Sequence, residues 1–520
     1  MENRKLVLVA MIFAVAMMFI DQTIVALAVP DLQDDLGVSS TGAQWIINGY
    51  LLSLSALFAL GGKLADVLGH RRMVIAGVAG FALFSALCGA TPTGAIGEAW
   101  MIVFRVLQGA AAALLFPAAL AIVVSAYPLR ERGRALAVFF AASGGLTAIG
   151  PLAGGYLTEW TWRAIFWINV PVALVAIVLT LRANPPEAKR RVPIDWRGAV
   201  LVSVAMGLAV LGLQQAGVWG WDDLRTWACI VAGLALLAVF VRDQLRTRDP
   251  LIEVRIFAQR AFAADNAVLF LISAVFVPLF FFASVYAQAS LDYSASEAGL
   301  FLLVFFAGFA TAAQWGGRIL DARGARPAVV LGCAVAAVGF WLWGSQLTEL
   351  EFSSQWYWLA LAGAGMGLVL GPVSTDAVNR APHASYGEVT GITQTVRNFG
   401  ASLGLAILGS LLVTENTRRI EDTLTARGLP TGQADQIAHA MTSSSGAGSD
   451  ALGGGGAAAS RAIASAIQLD VAESTRTIVY LMAALMAVAF VVAVARLPAG
   501  RVEERPITDE PAPEPSPAAG

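Results

Sequence analysis

Asp21 stands inside a long apolar run, with no other charge between Lys5 and Asp31. A charged side chain placed in hydrocarbon costs at least about 2.5–3.5 kcal/mol on insertion scales, so it must face a protein interior and find a partner. Arg105 is the matching base, in the apolar stretch 98–123. Counted from the outer ends of their runs, Asp21 is eight residues deep and Arg105 seven. At about 1.5 Å per residue both lie ~11 Å below one surface, so the two can pair. The pair has two readings. One is a static ion pair that locks two helices. The other is a protonation switch, in which Arg105 holds Asp21 ionised until substrate or opening perturbs it.

Arg397 lies about ten residues, or ~15 Å, into the apolar stretch 388–413, between Gln394 and Asn398. No deep acid is expected in its half of the chain. It could hold a water-filled cavity open, bind an anionic group, or cap carbonyls of a neighbouring helix. Other chemistry finds no support. There is no nucleotide-binding loop, nucleophile elbow or metal-spaced His/Cys cluster, so neither an enzyme, a cofactor nor a metal is expected. His70, His383 and His439 fall outside the apolar runs, and Cys88, Cys229 and Cys333 are far apart within them.

Composition says what surrounds these residues. Of 520 residues, 57% are hydrophobic and only 13% charged, with a mean hydropathy of +0.69. A soluble chain carries about a quarter charged residues, so the solvent for most side chains is the lipid bilayer. The net charge of −2 gives no reason to expect nucleic acid. Crossing hydrocarbon takes about 20 apolar residues. Spans are expected near 6–29, 43–65, 73–91, 98–123, 135–157, 164–182, 198–217, 226–241, 266–288, 297–317, 328–347, 355–375, 388–413 and 476–496. The first is too long for a signal-peptide core and is read as a retained span. Among these spans Asp21 is the only acid placed deep inside one.

Charges between the spans orient them. Lys63, Arg71 and Arg72, then Arg130, Arg132 and Arg134, then Lys189, Arg190 and Arg191 fall on the side of the N-terminus. The opposite short loops carry Asp31, Asp34, Asp35, Asp222, Glu349 and Glu351. That alternation puts both termini in the cytoplasm. Two segments lie outside the membrane. The outer loop 414–475, with its Gly453–Gly456 tract, reads as helical pieces around a flexible middle, of which 430–460 offers little to pack. The tail 498–520 is rich in Pro and Glu and reads as disordered.

The loop after span 2 and the loop after span 10 repeat one pattern. Gly62, Asp66, Gly69 and Arg71 match Gly317, Asp321, Gly324 and Arg326 in offset. Two related six-helix halves follow, at 1–183 and 261–497, with two helices inserted at 184–260. Parallel repeats about an axis normal to the membrane describe the major facilitator fold. The loop Gly62–Arg72 resembles that superfamily's signature between helices 2 and 3, with Val67 and His70 replacing basic residues. The run Asp21–Pro30 is similar to the first-helix signature of fourteen-span drug:proton antiporters, with Ala26 at a position often Asn. Arg105 to Gly109 resembles the buried-arginine motif. Gly150, Pro151, Gly154 and Gly155 resemble the helix-5 antiporter motif, although Leu146 stands where a glycine is usual and Gly144 and Gly145 lie upstream. Trp162, Arg163, Asn169 and Pro171 resemble the entry to span 6, and Arg397, Gly400 and Gly404 the span 13 motif.

The resemblance implies an all-α polytopic membrane protein of fourteen helices. It also implies proton-coupled export of a small amphipathic molecule across the bacterial inner membrane, by a monomer. Asp66 then reads as a gate latch accepting from Arg71 and from a helix end in the other half, with Asp321 repeating it. The span 5 glycines read either as a lipid-facing kink or as a close-packed seal against the opposite half. Phe276, Phe280, Phe281, Phe282, Phe301, Phe305, Phe306 and Phe309 face lipid or core, with one or two, such as Phe280 and Phe305, lining an apolar pocket beside Gln394, Arg397 and Asn398. Four functions compete: a multidrug exporter, a dedicated exporter of a metabolite, lipid or siderophore, an importer, and a receptor. The span 5 motif argues against the importer.

Overall fold

The computed structural model describes residues 2–127, 129–185, 193–380, 386–443 and 457–500, with side chains for most of them. The Gly453–Gly456 tract, Lys189–Arg191, residues 501–520 of the tail, and the side chains of Arg130, Arg132, Arg134, Gly144, Gly145 and His439 lie outside the described set, as does His383. Among the described residues the regular structure is entirely helical. Thirteen helices are long and apolar enough to cross a membrane. A further 32-residue helix, Leu129–Trp160, falls where the fifth span is expected, which is compatible with fourteen.

In chain order the helices are α1 (Glu2–Ile24), α2 (Val29–Leu36), α3 (Ser40–Leu68), α4 (His70–Gly89), α5 (Gly97–Ala126), α6 (Leu129–Trp160), the single turn α7 (Ala164–Trp167) and α8 (Asn169–Ala183). Next are α9 (Trp196–Trp219) and α10 (Leu224–Gln244). Then come α11 (Arg260–Ala289), α12 (Ala295–Arg323), α13 (Ala325–Gln346), α14 (Phe352–Asn379), α15 (Tyr386–Ala426), α16 (Thr431–Ser443) and α17 (Ala457–Arg496). Starts and stops follow local chemistry. Ser39 accepts from the Gly42 N–H at 2.9 Å, Asp195 accepts from Gly198 at 2.8 Å, and Ser294 with Glu297 forms a capping box. The repeated loops turn on glycines in the same unusual conformation: Gly69 has φ 103° and Gly324 φ 86°. A side chain is strained there, so glycine joins α3 to α4 and α12 to α13.

Helices before residue 184 meet helices after 260 along two seams, α6 against α12 and α3 against α15. The internal repeat exchanges these seams, because span 5 corresponds to span 13 and span 2 to span 10. Helix α9 packs on both α3 and α15, at one seam only. Ser55 Oγ on α3 donates to the Thr395 carbonyl of α15 at 2.9 Å. Asn48 lies within 2.5 Å of the Gln214 amide on α9 and accepts from Ser402 on α15.

The outer segment has the helical pieces expected of it, but part of 430–460, expected to have little to pack, is packed. Helix α15 runs to Ala426, past the expected end at 413, and α17 begins at Ala457. Ile420, Leu424, Ala434 and Ala438 form a small apolar core of their own, covered by Leu429, Ile437 and Ile467. Arg419 ties α15 to α17 through Glu473. Once outside lipid, these helices still gain by covering apolar side chains.

Candidate functional site

The α-helical turns of α1 stop at Ile24, where a 3-10 turn over Val25–Leu27 leads into α2. Asp21 sits in the last turn before this break, 1% exposed. Arg105 Nη1 on α5 donates to Asp21 Oδ2 at 2.6 Å. Gln108 Nε2, one turn further along α5, donates to Asp21 Oδ1 at 3.0 Å. Arg105 has further contacts: Nη1 also reaches Gln108 Oε1 at 2.7 Å, Nε donates to the Ile46 carbonyl at 2.9 Å, and the guanidinium lies 4.5 Å from the centre of the Tyr50 ring. The carboxylate thus has donors on both oxygens, and the cation has a counterion, two acceptors and an aromatic face. Removing one member of such a buried pair costs about 3–5 kcal/mol, because the survivor is left charged and uncompensated.

Thr23 carries the same stretch of α1 to α6. Pro151 has no N–H to offer the Thr147 carbonyl four residues earlier. Thr23 Oγ1 donates to that carbonyl at 3.0 Å instead. The glycines around the proline set the approach. A Cβ on Gly150 would come 3.0 Å from the Ile20 carbonyl, and one on Gly154 would come 2.9 Å from the Ile24 carbonyl. Both therefore face α1 in their own half, not the opposite half as expected. Gly155 does face across the seam: its Cβ would lie 2.5 Å from the Ala295 carbonyl of α12. Gly299 of α12 returns the contact on the Pro151 carbonyl, 2.6 Å from where its own Cβ would be. The 3-10 turn and α2 are pinned beside this site. Asp35 Oδ2 accepts from Arg163 at 2.5 Å and from Trp162 Nε1 at 3.0 Å. Those two hydrogen bonds, with Arg163 first, hold the Asp35 carboxyl below its ordinary value.

The residues expected at the gate are placed differently from the expectation. Asp66 Oδ1 meets His70 Nε2 at 3.1 Å, and Arg71 donates to Asn184 Oδ1 at 2.5 Å, so neither reaches the other half. Gly62 faces Pro117 with room for a Cβ, and Gly69 makes the turn. Asp321 is exposed at the end of α12. At the end of the bundle away from the termini the halves do touch: Gln288 donates to the Leu27 carbonyl at 3.2 Å, and Ser296 of α12 donates to Glu159 of α6. Two side-chain hydrogen bonds thus join the halves at this end. The far end is closed.

Within the second half, Arg397 Nη1 donates to Gln394 Oε1 at 2.8 Å, and its Nε is buried without an acceptor. Asn398 is buried beside it. Phe280 and Phe305 are fully buried. Phe280 stacks on Phe306 at 5.1 Å and meets Phe305 edge to face at 5.9 Å, so these rings fill the α11–α12 contact. Two further acids, outside the expected spans, are buried near helix ends. Helix α11 starts at Arg260, not near 266, and α14 runs on to Asn379, past 375. Asp265 and Asp376 therefore lie within membrane helices, 0% and 3% exposed. The reading also missed Thr23 and Gln108 as partners. Gln108 is signalled by its place three residues after Arg105, on the same helix face.

The Major Facilitator Superfamily profile matches residues 11–405. A tetracenomycin C resistance and export protein of Streptomyces glaucescens is 34% identical over 78% of this chain and 76% of that protein. The puromycin resistance protein pur8 of Streptomyces alboniger is 33% identical over 84% and 86%. A bacterial homolog of the human lysosomal transporter Spinster, solved in an inward-facing and unoccupied conformation, superposes with a TM-score of 0.60. It covers 95% of this chain and 98% of its own at 16% identity, which speaks to the fold alone. The chain is a multi-pass membrane transporter belonging to the Major Facilitator Superfamily.

Proposed function

We propose that this transporter is a proton-coupled antiporter that exports small amphipathic molecules across the bacterial inner membrane by alternating access. The observation that carries the reading is Asp21, a carboxylate buried in a spanning helix and held by one guanidinium and one amide. With both donors in place the ionised form is stabilised. A shift of α5 against α1, or entry of substrate, weakens them, and the carboxyl takes up a proton from whichever side is open. Neutral Asp21 no longer holds Arg105, and the two binding states differ by the free energy of that pair. A ligand can shift a conformational equilibrium only by such a difference.

In this account the bundles 1–183 and 261–497 rock against one another as a monomer. The two seams act as fulcra and α9 spans one of them. The basic residues Lys63, Arg71 and Arg72 put the end carrying the termini in the cytoplasm. The far-end contacts of Gly155, Gln288 and Ser296 then close the outer side. Asp66, Gly62, Gly69, Arg71 and Asp321 form the cytoplasmic gate, which latches when the inner side closes. Gln394, Arg397 and Asn398 line the substrate path, whereas Phe280 and Phe305 pack α11 on α12.

A second reading has its own support: a relative named for resistance to and export of one compound, tetracenomycin C, favours a dedicated exporter running the same proton exchange. Everted membrane vesicles with a pre-formed pH gradient test the first reading. Puromycin and structurally unrelated amphipathic cations should each dissipate the gradient. A gradient untouched by any of them, in vesicles that contain the protein, sinks multidrug antiport.

A further inference from the structure

We infer that α3, α9 and α15 form a hinge that stays joined through the transport cycle, so that the outer mouth opens on one side only, by parting α6 from α12. This rests on the alternating-access reading above and reduces its two fulcra to one. The three helices are joined at three levels. Ser55 Oγ of α3 donates to the Thr395 carbonyl of α15 at 2.9 Å and lies 3.8 Å from Met206 Sδ of α9. Asn48 of α3 lies 2.5 Å from the Gln214 amide of α9 and accepts from Ser402 of α15. At the third level a Cβ on Gly409 of α15 would meet the Gln44 side chain of α3, and one on Gly217 of α9 would come 3.5 Å from Ser410 Cβ of α15. Thr395, Ser402 and Gly409 are seven apart, as are Asn48 and Ser55, so each set returns to one helix face every two turns. From Thr395 to Gly409 the helix rises ~21 Å, against a hydrocarbon core of ~30 Å. Beyond that length α16, which shares the small core of Ile420 and Leu424 with α15, lies against α3.

The place of α9 makes this junction costly to part. It packs on α3, α15 and α10, and α10 is the least buried of the thirteen helices long and apolar enough to span. The two helices therefore stand at the edge of the bundle, against lipid. Asn48, Ser55, Gln214 and Ser402 are each at most 1% exposed. Were α9 to come away, their amides and hydroxyls would meet hydrocarbon, which offers neither donor nor acceptor. While α9 stays, the same contacts hold α3 and α15 beneath it. The α6–α12 contact is built differently. Gly155 and Gly299 bring backbone close to the Ala295 and Pro151 carbonyls. Ser296 and Glu159 share an exposed hydrogen bond, which water replaces at little net cost when the helices part. Outward opening therefore takes the α6–α12 side.

Two measurements on the full-length protein, with Cys88, Cys229 and Cys333 replaced by Ala, test the hinge. Double electron–electron resonance between spin labels on Trp160→Cys and Leu300→Cys reads the α6–α12 side, and between Ser40→Cys and Thr414→Cys the α3–α15 side. As pH is varied, with and without puromycin, the first pair should show two separate distances and the second pair one. A second distance at the α3–α15 pair overturns the hinge and leaves alternating access standing. One distance at both pairs under every condition sinks alternating access, and the hinge with it. In proteoliposomes, oxidising Gln44→Cys with Gly409→Cys staples α3 to α15, and puromycin should still move at the rate of the reduced protein. Oxidising Glu159→Cys with Ser296→Cys staples α6 to α12, and movement should stop and return on reduction. Loss of movement with the first staple, or movement that survives the second, overturns the inference. If the reduced proteins do not move puromycin at all, the drug-export reading fails instead, and the resonance distances decide the hinge by themselves.

Discussion

Replacing Thr23 with Val tests how the Asp21 segment is tied to the proline of α6. Valine keeps the shape of the fully buried side chain but removes the hydroxyl that donates to the Thr147 carbonyl at 3.0 Å. Side-chain hydrogen bonds between membrane helices average ~0.6 kcal/mol, with a ceiling near 1.7, because the unfolded reference state finds other partners. Here the donor stands in for the missing N–H of Pro151, and taking a donor from a buried acceptor costs about 1–3 kcal/mol. The expected loss is therefore near the ceiling, about 1.5 kcal/mol. In a Pro151→Ala background the alanine N–H can serve the carbonyl, and the same Thr23→Val change should cost only about 0–0.5 kcal/mol. The weaker contact of Thr23 with the Ile20 carbonyl at 3.2 Å is lost in both backgrounds and cancels in the cycle. Reversible unfolding in mixed detergent micelles measures all four corners. Equal costs of Thr23→Val with and without the proline would refute the argument that the hydroxyl replaces the helix donor.

Three further outcomes follow from the same geometry. Gly155→Leu should stop turnover while leaving one-sided substrate binding intact, because its Cβ would meet the α12 backbone and hold the far end apart; normal cycling by that variant would remove α6 as a seal. Asn48→Ala breaks the link between α3, α9 and α15, and single-cysteine labelling should then report greater accessibility from the outer side; labelling equal to the parent protein would show that the link does not hold that side closed. Asp35 is a carboxyl with a depressed value in the folded protein. Its contribution is present above the ordinary carboxylate value and is lost as pH falls through the folded one, so Asp35→Asn should flatten the loss of thermal stability between about pH 5 and pH 2. An acid limb identical to that of the parent protein would contradict it.

The spans, the repeated loops and the pairing depth of Asp21 and Arg105 were legible because lipid imposes them. Apolar length, charge-free interiors and a glycine at each sharp turn are local demands. The ends of the helices were not legible in the same way. Hydropathy marks where lipid begins, but the backbone goes on making its own hydrogen bonds beyond it. So α11 starts at Arg260 and α14 ends at Asn379, and Asp265 and Asp376, counted as loop residues, became buried groups. The facing of Gly150 and Gly154 is a tertiary fact. Their spacing of four says that they share a helix face, but only the packed bundle says that α1 occupies it. The outer segment misled by composition, since a few residues such as Ile420 and Leu424 suffice for a core once two helices bring them together.

The central claim is that Asp21 exchanges the transported proton, and one measurement tests it most directly. Wild-type and Asp21→Asn proteins are reconstituted at equal density, and puromycin movement is followed with and without an imposed pH gradient. The account predicts that Asp21→Asn still lets puromycin run down its own concentration gradient, yet shows no response to the pH gradient and no proton counter-movement. Full gradient-driven accumulation by Asp21→Asn would contradict it and move the proton to another group.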